Sequence, residues 1–553
     1  MSRTGRLLFA ALAALVSAAA ATTVASAQNT QIRYEPTDCT GSTVTTTTGA
    51  VCGLTISGGA SDVEAFLGIP FAETTAGDNR FEPPVPKTAW EGVLRATAYG
   101  PACAQRVEVA GRPESEDCLT LNIWRPVGAV GPRPVLVFIH GGAFVLGSVS
   151  DPVYAGAEFP LHDGAALAAS HGVVVVMPQY RLGALGAFAG IRGRPANFGM
   201  LDQRLALEWV RDNIAAFGGN PGLVTLAGES AGAQSVGLHL YSMPSSTGLF
   251  HAAIMQSNPL GLPFKTAEQA EATGGVFMTA LRCRNRADQL ACLKAAPLDA
   301  ILEAAGNPYL SLAVLEQRMA GFLNWAPVVD GDLIIGQPVE LALQRGAEVP
   351  VLLGVNQHEG TFFMAGEPDA DPITDFGYSF FLSTMFGSED LRAITAGYPS
   401  TGTGDNRDRV IEIVNDYLFQ CPNRAVAAAA TGPTYYYQFE QVSEFNLLPA
   451  IPTCADEACH GDELPYVFNS GVGAAAFTDE EESLADSIAA YWGRFVGGLH
   501  NPSLAGLARW PDVRTAGEYQ VLALPVTTAR IDPRGCELWD ALGYPVKEDL
   551  AAQ

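Results

Sequence analysis

Basic residues are scarce in this chain. Its 553 residues include 32 Lys and Arg against 58 Asp and Glu, and the formal net charge is −26 at pH 7. So acidic a surface argues against nucleic acid and against anionic lipid as partners. We therefore expect neither a nucleic-acid-binding protein nor one held electrostatically at a membrane surface.

Three sequence patterns are also missing. The chain has no Cys-x-x-Cys pair and no paired histidine spacing, which argues against a zinc site. No Pro/Ser-rich linker interrupts it, so we predict a single catalytic domain over residues 28–553. Beyond the first residues, no apolar run is long enough to cross a bilayer, and we expect no membrane span.

The amino terminus has the pattern of a secretory signal. Arg3 and Arg6 precede an apolar run from Leu7 to Ala21, and Ala25-Ser26-Ala27 then supplies an A-x-A cleavage site. Loss of residues 1–27 removes two Arg and changes the formal net charge from −26 to −28. The even number of cysteines, 10, agrees with export. We predict a secreted or periplasmic protein.

The most informative segment is Gly228–Gly232, Gly-Glu-Ser-Ala-Gly. It lies between an apolar, β-branched segment, Leu223–Ala227, and a helix-compatible stretch, Ala231 to Tyr241. A Gly-x-Ser-x-Gly between a strand and a helix is typical of a nucleophile elbow. This pattern predicts that Ser230 is an exposed nucleophile in a tight, strained turn.

A second segment has the composition of an oxyanion hole. A predicted strand, Pro134–Ile139, runs into His140-Gly-Gly-Ala-Phe144. Small residues leave backbone N–H groups uncovered, so those of Gly142 and Ala143, with that of Ala231, can stabilise the oxyanion of a tetrahedral intermediate.

An activating base must come from one of 8 histidines. In α/β-hydrolases the acid and then the base follow the nucleophile along the chain. That order excludes the three histidines before Ser230, and His239 and His251 follow Ser230 too closely, so His358, His460 and His500 remain. Glu359, beside His358, is a candidate acid, and order alone leaves the choice of base open.

The chain resembles the type B carboxylesterases, the family that includes the cholinesterases and para-nitrobenzyl esterases. The resemblance covers nearly all of the mature chain. Besides the elbow and the two loops around Glu359 and His460, the motifs that carry it are Phe66–Ala72, Arg80–Pro84, Glu116–Asn122, Asn197–Gln203, Phe217–Pro221, Pro327–Gly331 and Trp510-Pro511.

This resemblance implies an α/β-hydrolase fold, with a large, mostly parallel, twisted central sheet flanked by helices. It implies Ser230 as nucleophile, Glu359 as acid and His460 as base, with oxyanion donors at Gly142, Ala143 and Ala231. Such a mechanism needs no cofactor and no metal ion.

The resemblance also implies residues around the catalytic ones. Glu229 and Ser257 are expected to support the triad, although Asn258 stands where the family usually has Gly. Ala143 likewise stands where the family usually has Gly. This change is expected to be tolerated because only the N–H of the residue is used. The acyl side of the substrate pocket is expected at Phe144, Phe322, Leu323 and Trp325.

Spacing alone does not determine the disulfide connectivity. The resemblance supports the pairs Cys103–Cys118, Cys283–Cys292 and Cys421–Cys536. The pairs Cys39–Cys52 and Cys454–Cys459 then follow by elimination.

These observations predict a serine hydrolase of carboxylic esters that forms an acyl-enzyme. The loop from Cys103 to Cys118 has no aromatic residue to hold an ammonium group, so neutral short-chain or aromatic esters are the expected small-molecule substrates. A lipase or polyester hydrolase of the same family is the alternative. A non-catalytic cholinesterase-like binding domain is disfavoured because all three triad positions are intact. The oligomeric state is left open.

Overall fold

A computed structural model describes residues 38–544 apart from 58–59, 107–112, 129–130, 152–160, 307–314, 365–371, 446, 449–450, 470–476 and 533–534. The predicted signal peptide, residues 1–27, lies outside the described residues.

Eighteen strands form four sheets in the described part of the chain. In chain order they are β1 (Thr43–Thr45), β2 (Ala50–Cys52), β3 (Leu54–Ile56), β4 (Val63–Pro70), β5 (Val93–Arg95), β6 (Ala102–Cys103), β7 (Glu114–Ser115), β8 (Thr120–Pro126), β9 (Arg133–Ile139), β10 (Val174–Pro178), β11 (Gly219–Glu229), β12 (Ala252–Gln256), β13 (Lys265–Thr266), β14 (Val328–Val329), β15 (Val351–Asn356), β16 (Thr434–Phe439), β17 (Glu518–Leu522) and β18 (Thr527–Arg530).

Eleven of these strands make one large sheet in the order β18-β17-β16-β15-β12-β11-β9-β10-β8-β4-β3. The seven neighbours from β17 to β10 pair in parallel. Antiparallel pairs complete the sheet at both edges. The predicted large, mostly parallel sheet is therefore confirmed.

Seventeen α-helices accompany the strands in the described residues. They are α1 (Ala165–His171), α2 (Gly183–Ala187), α3 (Phe198–Asn213), α4 (Ala231–Gly237), α5 (Ala267–Ala280), α6 (Gln289–Ala295), α7 (Leu298–Ala305), α8 (Pro338–Arg345), α9 (Glu359–Met364), α10 (Asp375–Phe386), α11 (Leu391–Gly397), α12 (Arg407–Val414), α13 (Cys421–Ala428), α14 (Leu464–Phe468), α15 (Asp479–Arg494), α16 (Val513–Ala516) and α17 (Glu537–Leu542). Helix α4 continues into a π-helical turn, Leu238–Ser242.

Strand β9 shows why helices cover both faces of the sheet. Successive side chains of a strand point to opposite faces. Val135 and Val137 accordingly join one core cluster, which includes Leu207 of α3. Leu136 joins a second cluster, which includes Ile488 of α15. Apolar residues at consecutive positions are thus buried on both faces, as is typical of parallel sheets.

Neighbouring parallel strands end beside the predicted site residues. Strand β9 ends just before His140, β11 just before Ser230, β12 just before Ser257 and β15 three residues before Glu359. Because parallel strands present their carboxyl ends at one edge of the sheet, the fold brings segments that are distant in sequence to one place.

All ten cysteines are joined in disulfides, in the five pairs expected from the sequence: Cys39–Cys52, Cys103–Cys118, Cys283–Cys292, Cys421–Cys536 and Cys454–Cys459. Among the described helices, none combines the length and the apolar character needed to cross a membrane.

Candidate active site

Ser230 occupies the strained turn that its sequence context predicts. Its φ of 56° and ψ of −122° lie outside the regions that side-chain-bearing residues prefer. Its N–H donates to the carbonyl oxygen of Gln256 at 2.9 Å, which ties the turn to β12. The side chain is partly exposed, so the hydroxyl is accessible where β11 ends and α4 begins.

Both glycines of the elbow are required by close packing. A Cβ at Gly232 would lie 2.0 Å from the carbonyl oxygen of Ile139, and one at Gly228 would lie 2.4 Å from the carbonyl carbon of Gly232. Neither position has space for a side chain. The Gly-x-Ser-x-Gly spacing is thus a steric consequence of how tightly α4 and β9 pack around the turn.

The loop after β9 folds next to the elbow. A Cβ at Gly141 would lie 3.0 Å from Cβ of Ser230, and one at Gly142 would lie 2.1 Å from the carbonyl oxygen of Leu146. The backbone at Gly142 and Ala143 has positive φ values of 104° and 53°. This conformation turns successive peptide groups of the loop and keeps the chain close to the serine.

The three predicted oxyanion donors have N–H groups available for a ligand. Among the described residues, no backbone hydrogen bond is donated by Gly142, Ala143 or Ala231. Ala231 is the first residue of α4, and the N–H groups in the first turn of a helix have no partner within the helix. These groups can therefore stabilise negative charge beside Ser230.

His460 and Glu359 are in direct contact. Nδ1 of His460 lies 2.5 Å from Oε2 of Glu359. The other carboxylate oxygen, Oε1, accepts the N–H of Asn356 at 2.7 Å, and the N–H of Glu359 donates to Oδ1 of Asn415 at 3.0 Å. Glu359 is fully buried, so its carboxylate is fixed in one orientation toward the imidazole.

Three aromatic rings pack around the imidazole of His460. The ring centroids of Phe363, Phe419 and Phe362 lie 5.0, 5.3 and 5.4 Å from it. Phe362 and Phe363 belong to α9, the helix that begins at Glu359. The same helix thus supplies the acid and part of the apolar wall that holds the histidine.

Nε2 of His460, on the opposite side of the ring, has no hydrogen-bond partner in the described part of the chain. It lies 3.2 Å from Oε1 of Glu229, the residue before Ser230. No hydrogen bond joins Ser230 and His460 in this structure. Nε2 is therefore directed toward the elbow and can accept a proton there.

Buried carboxylates control the charge of this site. Burial acts to lower the pKa of His460, but the carboxylates of Glu229, Glu359 and Glu463 outweigh burial and raise the pKa to about 9. Burial raises the pKa of Glu229 to about 8, against the opposing effect of His460. The imidazolium and the carboxylate of Glu229 thus each stabilise the charged form of the other.

Glu463 is a further buried carboxylate near His460. Its carboxylate accepts Nε2 of Gln256 at 3.1 Å and Nδ2 of Asn356 at 2.7 Å, and burial raises its pKa. Asp462 accepts the N–H of Cys459 at 2.7 Å. No role is predicted for these residues from the sequence, although the two acids follow His460 by two and three positions.

Ser257 is buried beside the site but is not joined to the acid. Its φ is 49°, and its N–H donates to the carbonyl oxygen of Gly354 at 2.8 Å. Oγ has no hydrogen-bond partner in the described residues. In this structure the carboxylate of Glu359 is held by Asn356 and His460, rather than by Ser257.

The predicted acyl-side residues divide between two parts of the core. Phe144 and Leu323 share one cluster, and Phe322 packs against it. Trp325 belongs to another cluster, where its ring lies 5.2 Å from that of Phe277. Its Nε1 donates to the carbonyl oxygen of Ala305 at 2.8 Å.

The other candidate bases lie elsewhere or make other contacts. His358 is exposed to about two fifths, and its Nδ1 lies 3.7 Å from Glu457. His500 follows the helical turn Phe495–Leu499. No cluster of three or more His, Cys, Asp or Glu arranged to hold a metal ion occurs within the described residues.

A family model described as the carboxylesterase family matches residues 40–539. Among curated relatives, the Crystal protein of Dictyostelium discoideum is 33% identical over 506 residues, which are 87% of this chain and 88% of that protein. Acetylcholinesterase of Bungarus fasciatus is 34% identical over 544 residues, with coverage of 90% and 86%.

Solved structures are also similar to this chain in sequence and in fold. The structure of a PNB esterase is 33% identical in sequence and superimposes with a TM-score of 0.77, covering 91% of this chain and all of its own. The similarity therefore extends over about nine tenths of this chain.

Proposed function

Because this chain belongs to the carboxylesterase family and is a carboxylic ester hydrolase, we propose that it cleaves esters through an acyl-enzyme on Ser230. His460 is the base and Glu359 is the acid that orients it. The observation that carries this proposal is the arrangement of the imidazole: Nδ1 lies 2.5 Å from Glu359, while Nε2 makes no hydrogen bond and lies 3.2 Å from Glu229, the residue before Ser230.

The reaction proceeds in two halves. Nε2 of His460 takes the proton of the Ser230 hydroxyl while Oγ bonds to the ester carbonyl carbon, and the N–H groups of Gly142, Ala143 and Ala231 stabilise the resulting oxyanion. The C–O bond to the alcohol then breaks, and the alcohol leaves with the proton from Nε2. A water molecule repeats the sequence on the acyl-enzyme and releases the acid.

We propose neutral short-chain or aromatic esters as substrates. Phe144, Phe322 and Leu323 are apolar and belong to or pack against the same core cluster, which supports an uncharged acyl group. Trp325 lies in a different core cluster, so we propose that it packs under the residues of the pocket and does not contact the acyl group.

We further propose that residues 1–27 are a signal peptide and that residues 28–553 form one catalytic domain that is secreted or periplasmic. The five disulfides support this, since disulfides form and persist in oxidising compartments. Mass spectrometry of the protein recovered outside the cytoplasm tests it: a mature chain that begins at Gln28 is expected, and an uncleaved chain contradicts the proposal.

The proposed nucleophile and base are tested together. Ser230→Ala and His460→Ala should each lower kcat by about 10⁴-fold or more, because the members of a triad act as a unit. His358→Ala is the matched control, since His358 is exposed and contacts Glu457 instead; it should retain activity. A fluorophosphonate should form one adduct per chain, on the peptide that contains Ser230. Activity retained without Ser230, or lost with His358 and kept without His460, contradicts the assignment.

A further inference from the structure

Lys265 is an ionisable group that the proposed mechanism does not use. It lies in β13, only 2% of its surface is exposed, and no carboxylate lies within ion-pair distance among the described residues. Burying an ammonium without a counter-ion is unfavourable, and burial lowers the pKa of Lys265 to about 7. Because burial of this side chain is unfavourable, we expect it to make a contact that an apolar residue cannot make.

That contact is with the main chain of one loop. Nζ of Lys265 donates to the carbonyl oxygen of Leu323 and lies 3.4 Å from that of Asn324. These residues are in the segment Gly321–Ala326, which carries Phe322 and Leu323. The ammonium and the neutral amine both have at least two N–H bonds, so either form can donate to both carbonyl groups.

Lys265 is itself rigidly placed. β13 pairs in parallel with β14, with Lys265 opposite Val328. The next residue, Thr266, caps helix α5 through a reciprocal pair of hydrogen bonds with Gln269. A donor held by these contacts can fix the position of the backbone at Leu323.

The same short segment also reaches the oxyanion loop. Phe264, immediately before Lys265, packs edge-on against Phe144 at a centroid distance of 6.1 Å. Phe144 follows Ala143, one of the proposed oxyanion donors. The segment around Lys265 therefore contacts both apolar parts of the proposed acyl pocket.

We propose that Lys265 is a positioning residue that sets acyl-group specificity: by holding the carbonyl groups of Leu323 and Asn324 it fixes Phe322 and Leu323 relative to Phe144. This inference rests on the proposed function, since it takes these residues as the acyl side of the pocket. Lys265 does not touch the reacting atoms.

The test compares acyl and alcohol specificity in the full-length mature enzyme. Lys265→Met removes the donor and keeps the length of the side chain. The ratio of kcat/KM for p-nitrophenyl butyrate to that for the acetate should change by about ten-fold, a typical effect for a pocket altered by a methylene or more. A series of acetate esters with different alcohols should keep its wild-type order. Lys294→Met is the control, because Lys294 also donates to a main-chain carbonyl, that of Asp78, but away from this loop.

If Lys265→Met does not fold, Lys265→Gln takes its place in the test. Gln keeps an N–H donor, so the butyrate-to-acetate ratio of kcat/KM should shift in the same direction but by less than ten-fold. An acyl profile that matches wild type in the folded variant, or an equal shift in the alcohol series, overturns the proposal. Fluorophosphonate titration of each protein separates the role of Ser230 from that of Lys265. If the wild type forms no adduct on Ser230, the catalytic assignment is refuted. If the adduct forms normally and the acyl profile of the variant is unchanged, only the role of Lys265 is refuted.

Discussion

The disulfide Cys454–Cys459 should contribute to catalysis as well as to stability. It closes a ring over a sequence separation of 5, and in the loop-entropy model so short a ring contributes about 2 kcal/mol to the free energy of unfolding. Replacing both cysteines with Ser removes that contribution. Because Cys459 directly precedes His460, the replacement also releases one constraint on the base.

Three other contacts hold the backbone at Cys459. Its N–H donates to Asp462 at 2.7 Å, its carbonyl oxygen accepts Nδ2 of Asn356 at 2.6 Å, and it forms an isolated parallel bridge with His358. On its apolar side the disulfide packs against Phe362, which contacts the imidazole. With these contacts retained the histidine stays near its place, so we expect kcat to fall by about ten-fold, or about 1.4 kcal/mol, rather than to vanish.

Cys283–Cys292 is the matched control for this experiment. Its sequence separation is 9, so its loop-entropy contribution is also between about 2 and 3 kcal/mol, but it lies in a different core cluster from the site. Both double Ser variants should lower the melting temperature by similar amounts in differential scanning calorimetry. Only Cys454→Ser/Cys459→Ser should lower kcat on p-nitrophenyl acetate. Equal kcat values for the two variants, with equal losses of stability, would refute the reasoning.

The parts of the site that the sequence predicted are those with local steric causes. Gly228 and Gly232 have no space for a Cβ, and Gly142 has none either. A requirement of this kind acts on each position separately, so it leaves a pattern that can be recognised in the letters alone. The strand before each motif is equally local, because Val135–Ile139 of β9 and most of Leu223–Ala227 of β11 are apolar.

The residues that the sequence did not predict act through distant partners. Asn356 and Glu463 are 107 residues apart along the chain, and Gln256 and Glu463 are 207 apart. Amide and carboxylate side chains are common, so nothing near them in sequence indicates which ones meet. Their contact depends on the order of β12 and β15 in the sheet and on the path of the loop that carries His460.

The charge state of the base was likewise outside the reach of the sequence. An isolated histidine titrates near ~6.5, whereas the buried acids around His460 raise its pKa. Glu229 was expected only to support the triad, and the structure places its carboxylate 3.2 Å from Nε2. A pKa depends on distances and burial, which composition does not specify.

Two further outcomes are expected. The acid limb of the pH profile of kcat/KM reports protonation of the proposed base, His460. Since the charge of Glu229 raises the pKa of His460, Glu229→Gln should move that limb to lower pH. A limb that stays at the same pH or moves to higher pH contradicts this contact. Butyrylcholine and its uncharged isostere, 3,3-dimethylbutyl butyrate, should be hydrolysed with similar kcat/KM. The sequence from Cys103 to Cys118 has no aromatic ring to attract an ammonium group. A preference of about ten-fold for the choline ester would correspond to about 1.4 kcal/mol of cation recognition. That result would contradict the proposed preference for neutral esters and would require a cation-binding group outside the loop from Cys103 to Cys118.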